Sequence, residues 1–252
     1  MVGRVGQDDF GARLTSSLND VGVNTSAVKI DPTQSTGIAM ITVDDAGENR
    51  ILIVAGANGQ VSTADVDALR PALAHLKALV LQMEIPFETI EYVLDVTAEL
   101  NLLTFLNLAP AYLISDEMLK KIDYLILNES EASLLTNVSV IDQDSAKAAC
   151  SALFTRGAHT VIVTLGSKGA LLATSNEFSF LPSYQVDVVD TTAAGDAFVA
   201  GFVVSLLETQ DLARSVQYAN AVGALTVTKL GAQVSLPSKT DVETFLNKQA
   251  ER

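Results

Sequence analysis

The stretch Val188-Val189-Asp190-Thr191-Thr192-Ala193-Ala194-Gly195-Asp196-Ala197-Phe198 brings together the residue types that phosphoryl transfer needs. An apolar run of strand character gives way to small residues, then to an acid, then to a long apolar helical pattern. Ala193, Ala194 and Gly195 carry almost no side-chain bulk, so backbone N–H groups at the helix start can come close to an anion. The helix N-terminus adds partial positive charge where a transferring phosphoryl group would lie. Asp196 falls in the first turn, beside that pocket of amides. A carboxylate there can take the proton of an incoming hydroxyl, the part a general base plays in phosphoryl transfer. The plainer reading of the same residues is an ordinary helix start, with Asp196 stabilised by the dipole.

A helix start of this kind needs a rigid frame, and the flanking sequence predicts one. Asp9 to Leu18 reads as a helix with Phe10, Leu14 and Leu18 on one face. Thr36–Val43 and Arg50–Val54 read as strands of a hairpin joined by Asp44-Asp45-Ala46-Gly47-Glu48-Asn49. Ser62 opens a helix, with Asp65 three residues on as a capping partner. Strand-like runs at 78–83, 102–106, 123–127 and 160–165 then alternate with helical stretches from Pro86, Ser115, Ser130 and Ser145. Ala194–Leu207 and Leu212–Val227 are long apolar helices, and a last helix starts near Asp241. This alternation predicts an α/β fold in which βαβ units build a parallel sheet covered by helices on both faces. Glu84, Asn107, Asn128 and Gly166 each follow an apolar strand, so they are expected along one rim at the carboxyl ends, where ligands bind in such sheets. Taken singly, each is also an ordinary turn former.

Composition excludes several classes. The chain has 252 residues and a formal charge of −14, which argues against duplex binding or a polybasic membrane surface. The single cysteine, Cys150, excludes an intramolecular disulfide, and two histidines, His75 and His159, exclude a histidine-rich metal cluster. No apolar run is long enough for a membrane helix. The first residues, Met1 to Asp9, carry no targeting pattern, so a cytoplasmic location with possible nuclear access is expected. The G-x-x-x-x-G-K-[ST], G-x-G-x-x-G, H-E-x-x-H and G-x-S-x-G patterns are all absent.

D-T-T-A-A-G-D-A-F, residues 190–198, resembles the C-terminal signature of the PfkB family of carbohydrate kinases. Supporting strings are Thr36-Gly37-Ile38-Ala39-Met40-Ile41, Gly47-Glu48-Asn49, Ala55-Gly56-Ala57-Asn58, Asn128-Glu129-Ser130-Glu131-Ala132, Thr164-Leu165-Gly166-Ser167-Lys168-Gly169 and Gly231-Ala232-Gln233. The resemblance runs from Met1 nearly to the C-terminus. It implies a central, mostly parallel sheet flanked by helices, with a small β lid, and an ATP-dependent sugar kinase whose acceptor is ribose, giving ribose 5-phosphate. By the same resemblance Asp196 is the base that also contacts the sugar, and Ala193, Ala194 and Gly195 supply the anion hole. Asn128 and Glu131 organise Mg²⁺ indirectly, and Glu84 contacts the sugar. Thr164, Leu165, Gly166, Ser167, Lys168 and Gly169 follow the nucleotide, with Asn128, Gly195 and Asp196, and Asn220 lies near the adenine. Asp190, Thr192, Thr226, Lys229, Gly231 and Ser235 hold a monovalent cation, K⁺, with Lys229 and Gly231 acting through carbonyls. Read from the residues alone, Asn128 and Glu131 could equally be a strand end with a helix cap. Likewise Gly166–Gly169 could be a hairpin turn.

The resemblance also marks departures. Met1 aligns with an internal strand of the family, so roughly 60 residues are expected to be missing, judged by the spacing of βαβ units. They would include a first sugar contact, a G-G-K-G-x-N segment, a central strand and part of the lid. No Gly-Gly pair occurs in the chain, and Asn107-Leu108-Ala109-Pro110 stands where the family has N-P-A-P. The expectation is therefore one N-terminally truncated kinase domain over residues 1–252, with a partial lid at about 36–55; the resemblance implies a homodimer through the lid in a full-length form. Two alternatives remain open: a kinase for another sugar or a nucleoside, and a non-catalytic nucleotide-binding remnant.

Overall fold

The computed structural model describes residues 1–43 and 49–251. The chain divides into two compact units, Met1–Leu76 with Gln82–Leu102, and Lys77–Leu81 with Leu103–Arg252.

In the first unit, β1 (Val2–Gly6) and β2 (Ala27–Asp31) pair in parallel, Val2 opposite Ala27 and Gly6 opposite Asp31. α1 (Asp9–Asp20) connects them, capped by the Asp8 carboxylate, which accepts from Gly11 N at 2.9 Å. β3 (Ile38–Val43) and β4 (Asn49–Val54) form the expected antiparallel hairpin. Its acidic turn, and with it Gly47 and Glu48, lies outside the described residues. α2 (Thr63–Leu73) begins with the expected capping box: Ser62 N donates to Asp65 Oδ2 at 2.8 Å, and Ser62 Oγ does so at 3.0 Å. α3 (Phe87–Leu100) starts directly after Pro86. One expectation is corrected. Phe10 and Leu14 stay exposed within this unit, and the buried residue of α1 is Gly11. A two-stranded sheet is too narrow to cover a helical stripe about 100° wide.

In the second unit, β5 (Ala78–Leu81), β6 (Leu103–Asn107), β7 (Tyr124–Asn128) and β8 (Thr160–Thr164) run parallel. β9 (Gly169–Thr174) and β10 (Phe178–Pro182) follow antiparallel, giving the sheet order β10-β9-β8-β7-β6-β5. The sheet is thus mostly parallel, as the alternation predicted. β10 has no counterpart in the sequence reading, because its five residues interleave Phe and Leu with Ser and end on Pro182. β6, β7 and β8 are apolar through their middles and buried there, the pattern of strands covered on both faces.

The helices of this unit are α4 (Asp116–Leu119), α5 (Glu129–Thr136), α6 (Gln143–Thr155), α7 (Ala194–Thr209), α8 (Leu212–Thr226) and α9 (Lys239–Ala250). α7 is apolar nearly all round, and it is held on both sides. Phe202 meets the edges of Phe105 and Tyr124, with ring centroids 6.0 and 5.7 Å apart. On the other side Gly201 lets α8 approach so closely that a Cβ there would sit 2.8 Å from Val222 Cγ2. This packing fixes the position of the N-terminus of α7. Among the described residues no helix is long and apolar enough to cross a membrane.

Candidate active site

The N-terminus of α7 opens onto a cavity of 630 Å³ in the second unit. Ala194 and Gly195 form part of its wall, together with Asn128, Thr164, Gly166, Ser167 and Gly169. The carboxyl ends of β7 and β8 meet there in register, Asn128 opposite Thr164. A crevice at the carboxyl end of a parallel sheet, faced by a helix start, is the usual ligand position in such folds.

The amides at this helix start are arranged for an anion. Ala194 N donates to Thr191 O at 3.2 Å and Ala197 N to Ala193 O at 2.9 Å. The Gly195 and Asp196 N–H groups between them have no acceptor among the described residues, and no side chain caps the helix. Ala193 precedes them with φ 60°, a left-handed conformation unusual for alanine that turns the chain sharply into α7. A Cβ on Gly195 would meet no protein atom within 4 Å. Glycine there is required neither by its φ nor by a packed neighbour, and the volume it leaves free belongs to the cavity.

Asp196 follows directly on Gly195 but is not part of the cavity wall. Its carboxylate has no hydrogen-bond or ion-pair partner among the described residues. Desolvation by the surrounding protein pushes its pKa up, although the side chain remains open to solvent. It is thus an unengaged carboxylate beside two unengaged amides.

Asn128 and Glu131 take the plainer of the two readings in their contacts. They form a capping box: Glu131 N donates to Asn128 Oδ1 at 3.0 Å and Asn128 N to Glu131 Oε2 at 2.7 Å. Asn128 Nδ2 adds a bond to Glu131 Oε1 at 2.9 Å, so both carboxylate oxygens of the buried Glu131 are occupied. Burial raises the pKa of Glu131, and the backbone bond from Asn128 works against that rise. Asn128 still faces the cavity while Glu131 stands behind it. The Gly166–Gly169 segment satisfies both of its readings, because it joins antiparallel β8 and β9 and also lines the cavity.

Other predicted residues separate. Asn220 lines the cavity with its amide committed to Leu181 O at 3.0 Å and Pro182 O at 3.2 Å. Leu165 turns into the core instead of the cavity, and the Lys168 ammonium reaches away to Ile141 O at 3.0 Å. Asn107 lies outside the cavity wall, so the expected rim narrows in this unit to Asn128 and Gly166. Glu84 belongs to the first unit, where its side chain is exposed and its carbonyl accepts from Asn58 Nδ2 at 3.2 Å.

The structure does join the two predicted cation loops. Asp190 Oδ1 accepts from Thr192 N and Oγ1 at 2.9 and 2.7 Å, and Oδ2 accepts from Gly231 N at 2.8 Å. Gly231 lowers the Asp190 pKa most, followed by Thr192. Thr226 and Ser235 are fully buried nearby in the chain, their hydroxyls donating to Val222 O and Ala232 O. The Lys229 side chain instead lines a separate small cleft with Phe245 and Lys248.

Sequence reasoning missed Tyr184, Val186, Phe198 and Val227, which also line the cavity. Tyr184 is fixed by Gln217 Nε2 at 3.0 Å and by the edge of Phe245, ring centroids 5.2 Å apart. An aromatic residue just after Pro182-Ser183 was the available signal, but no spacing rule links it to a ligand.

Comparison with known proteins identifies the family and the fold. The sequence matches the pfkB family carbohydrate kinase profile over residues 1–239. It is 39% identical to a ribokinase of Schizosaccharomyces pombe, over 98% of this chain and 79% of that protein. The ribokinase structure from Thermotoga maritima superposes with a TM-score of 0.86 at 36% identity, covering 98% of this chain and 80% of that one. Arabidopsis thaliana ribokinase complexed with ribose and ATP gives a TM-score of 0.88 at 30% identity, covering 97% and 80%. The chain therefore belongs to the pfkB family of carbohydrate kinases, with the α/β fold that its strand and helix alternation called for.

Proposed function

We propose that this chain is an ATP-dependent sugar kinase that transfers the γ-phosphoryl group of ATP to ribose, forming ribose 5-phosphate. The observation that carries the reading is the pair of unengaged amides at Gly195 and Asp196, opening on a 630 Å³ cavity beside an unpartnered carboxylate. In this mechanism Asp196 contacts the ribose hydroxyl and accepts its proton as the oxygen attacks phosphorus. The amides that follow Ala193, with the partial positive charge of α7, receive the charge building on the equatorial phosphoryl oxygens. The wall formed by Asn128, Thr164, Gly166, Ser167 and Gly169 follows the nucleotide, and Asn220, clamped to the β10 backbone, holds its shape near the base. Glu84 is proposed as a further sugar contact.

Mg²⁺ would be brought to the site by the nucleotide. Among the described residues no three acidic, His or Cys side chains are grouped for a metal ion. Asn128 orients the ion's waters, with Glu131 holding Asn128. Bound there, Mg²⁺ would supply positive charge to offset that of the phosphates. K⁺ is proposed at the joined loops, where Asp190, Thr192, Thr226 and Ser235 and the carbonyls of Lys229 and Gly231 offer hard oxygen donors suited to a large cation. Replacing K⁺ with Na⁺ or Li⁺ is expected to lower kcat, because this loop pair runs straight into the anion hole.

The hairpin β3–β4 presents Ile38, Met40, Leu52 and Val54 on one face, each 38–62% exposed. A two-stranded sheet with such a face needs a cover, which supports a homodimer formed through the lid. A cytoplasmic site of action suits a reaction that consumes ATP.

The deciding experiment is calorimetry with ADP and with ribose separately, alongside an assay of ADP formation. Binding of both and ribose-dependent ADP release are expected. ADP binding without ribose binding would instead favour a non-catalytic nucleotide-binding remnant.

A further inference from the structure

Thr36 is buried where the chain enters hairpin β3–β4, and a carboxylate holds it there. Thr36 Oγ1 donates to Asp8 Oδ1 at 2.6 Å, and Thr36 N donates to Asp8 Oδ2 at 2.7 Å. The same hydroxyl accepts from Gly6 N at 2.9 Å, while Asp8 Oδ1 also accepts from Gly11 N. One side chain therefore ties the first turn of α1 to the entry of the hairpin.

The backbones cross at spacings that leave no room for a side chain. A Cβ on Gly6 would lie 2.4 Å from Thr36 N, one on Gly37 2.8 Å from Ala55 O, and one on Gly56 2.3 Å from Ser35 O. The hairpin's exit is stitched to its entry by Ala57 N donating to Ser35 O at 2.7 Å. Asn58, the next residue, donates to the carbonyl of Glu84. A continuous run of contacts thus leads from Asp8 through both roots of the hairpin to the backbone of Glu84.

We propose that Asp8 and Asn58 are positioning residues: Asp8 sets the angle of the hairpin against β1 and α1, and Asn58 carries that setting to Glu84. Hairpin and Glu84 then shift as one body, and the acceptor contact at Glu84 depends on the clamp being intact. Asp8 must be a carboxylate, because its two oxygens meet only donors. An amide would turn a donor toward one of them. The link to ribose rests on the proposed role of Glu84, whereas the mechanical coupling stands on the contacts alone.

The test uses the full chain and the variants Asp8→Asn, Thr36→Val, Thr36→Ser and Asn58→Ala. Amide hydrogen exchange is read without ligand at residues 38–43, 82–86 and 198–206, followed by steady-state kinetics. Losing one such hydrogen bond corresponds to about a tenfold change. Asp8→Asn and Thr36→Val are expected to speed exchange about tenfold at both 38–43 and 82–86 and to leave 198–206 unchanged. Thr36→Ser, which keeps the hydroxyl, should restore wild-type exchange. Asn58→Ala should free 82–86 alone. The KM for ribose should rise about tenfold in Asp8→Asn and Asn58→Ala, with the KM for ATP within about twofold. The proposal is overturned if Asp8→Asn loosens 38–43 without 82–86, if all three segments loosen together, or if both KM values move in step. Should the wild-type chain not phosphorylate ribose, the kinase reading fails by itself while the exchange data still decide the coupling.

Discussion

Two carboxylates of this chain sit at opposite ends of what burial does to an acid. Asp196 has no donor to hold its charge, so desolvation raises its pKa. The base form carries the proposed chemistry, so kcat/KM should fall as pH drops through a value raised above that of an ordinary aspartate, seen as an acid limb in the pH–rate profile. Asp196→Asn should lower kcat by about 10³-fold while leaving ADP affinity within a few-fold, as calorimetry would register. Asp65 is the reverse case. Desolvation alone would raise its pKa, but Lys29, Ser62 and Arg4 together outweigh it and hold the carboxyl well below the usual range. Lys29 bonds one oxygen; Arg4, 2.8 Å away, bonds the other. Arg4 and Lys29 are register neighbours on β1 and β2, so Asp65 also relieves their repulsion. A depressed folded-state pKa stabilises above the unfolded carboxylate value, and that stabilisation is lost as pH falls through the folded one. Asp65→Asn should therefore cost about 3 kcal/mol at pH 7 in urea unfolding, with the difference from wild type shrinking in acid.

At the scale of elements, α7 is the helix on which the site depends. Its apolar circumference would be a liability on a surface helix. Here it lets Phe202 lock into Phe105 and Tyr124 while Gly201 admits α8, so the free amides at its start are held by packing further along the helix. The separation of packing from binding can be tested at Gly195. Because a Cβ there meets no protein atom, Gly195→Val should keep the melting temperature within about 2 °C of wild type, in line with a change that touches no packing. It should nonetheless weaken ADP binding by about tenfold or more, by filling the space where phosphate meets amide. A large drop in melting temperature with unchanged affinity would place the role of this glycine in folding.

At the scale of the molecule, apolar surface and charge work against each other. A net charge of −14 keeps copies of the chain apart, most strongly at low salt. The apolar face of hairpin β3–β4 favours bringing them together. Leu52→Glu should therefore shift the chain toward monomer in sedimentation velocity. The proposed dimer should strengthen as salt screens the charge. A wild type that is monomeric throughout would remove the lid as an interface. β5 presents the same question in the sheet. Its run Ala78–Leu81 reads as an interior parallel strand, yet it ends the strand order and Val80 is 50% exposed.

What could be read from the residues alone was local. Capping boxes at Ser62–Asp65 and Asn128–Glu131, the parallel alternation and the small-residue run before α7 all rest on interactions within a few residues, which spacing encodes directly. The tertiary structure decided which of those groups are spent and which are free. Both oxygens of Glu131 go to Asn128, Lys168 goes to Ile141, and Leu165 goes to the core, whereas Asp196 and the amides beside it remain unengaged. Tyr184 and Val186 enter the cavity wall, and Phe10 and Leu14 stay uncovered, for the same reason. A side chain's surroundings are set by segments far away in the chain, and no periodicity in its own neighbourhood records them.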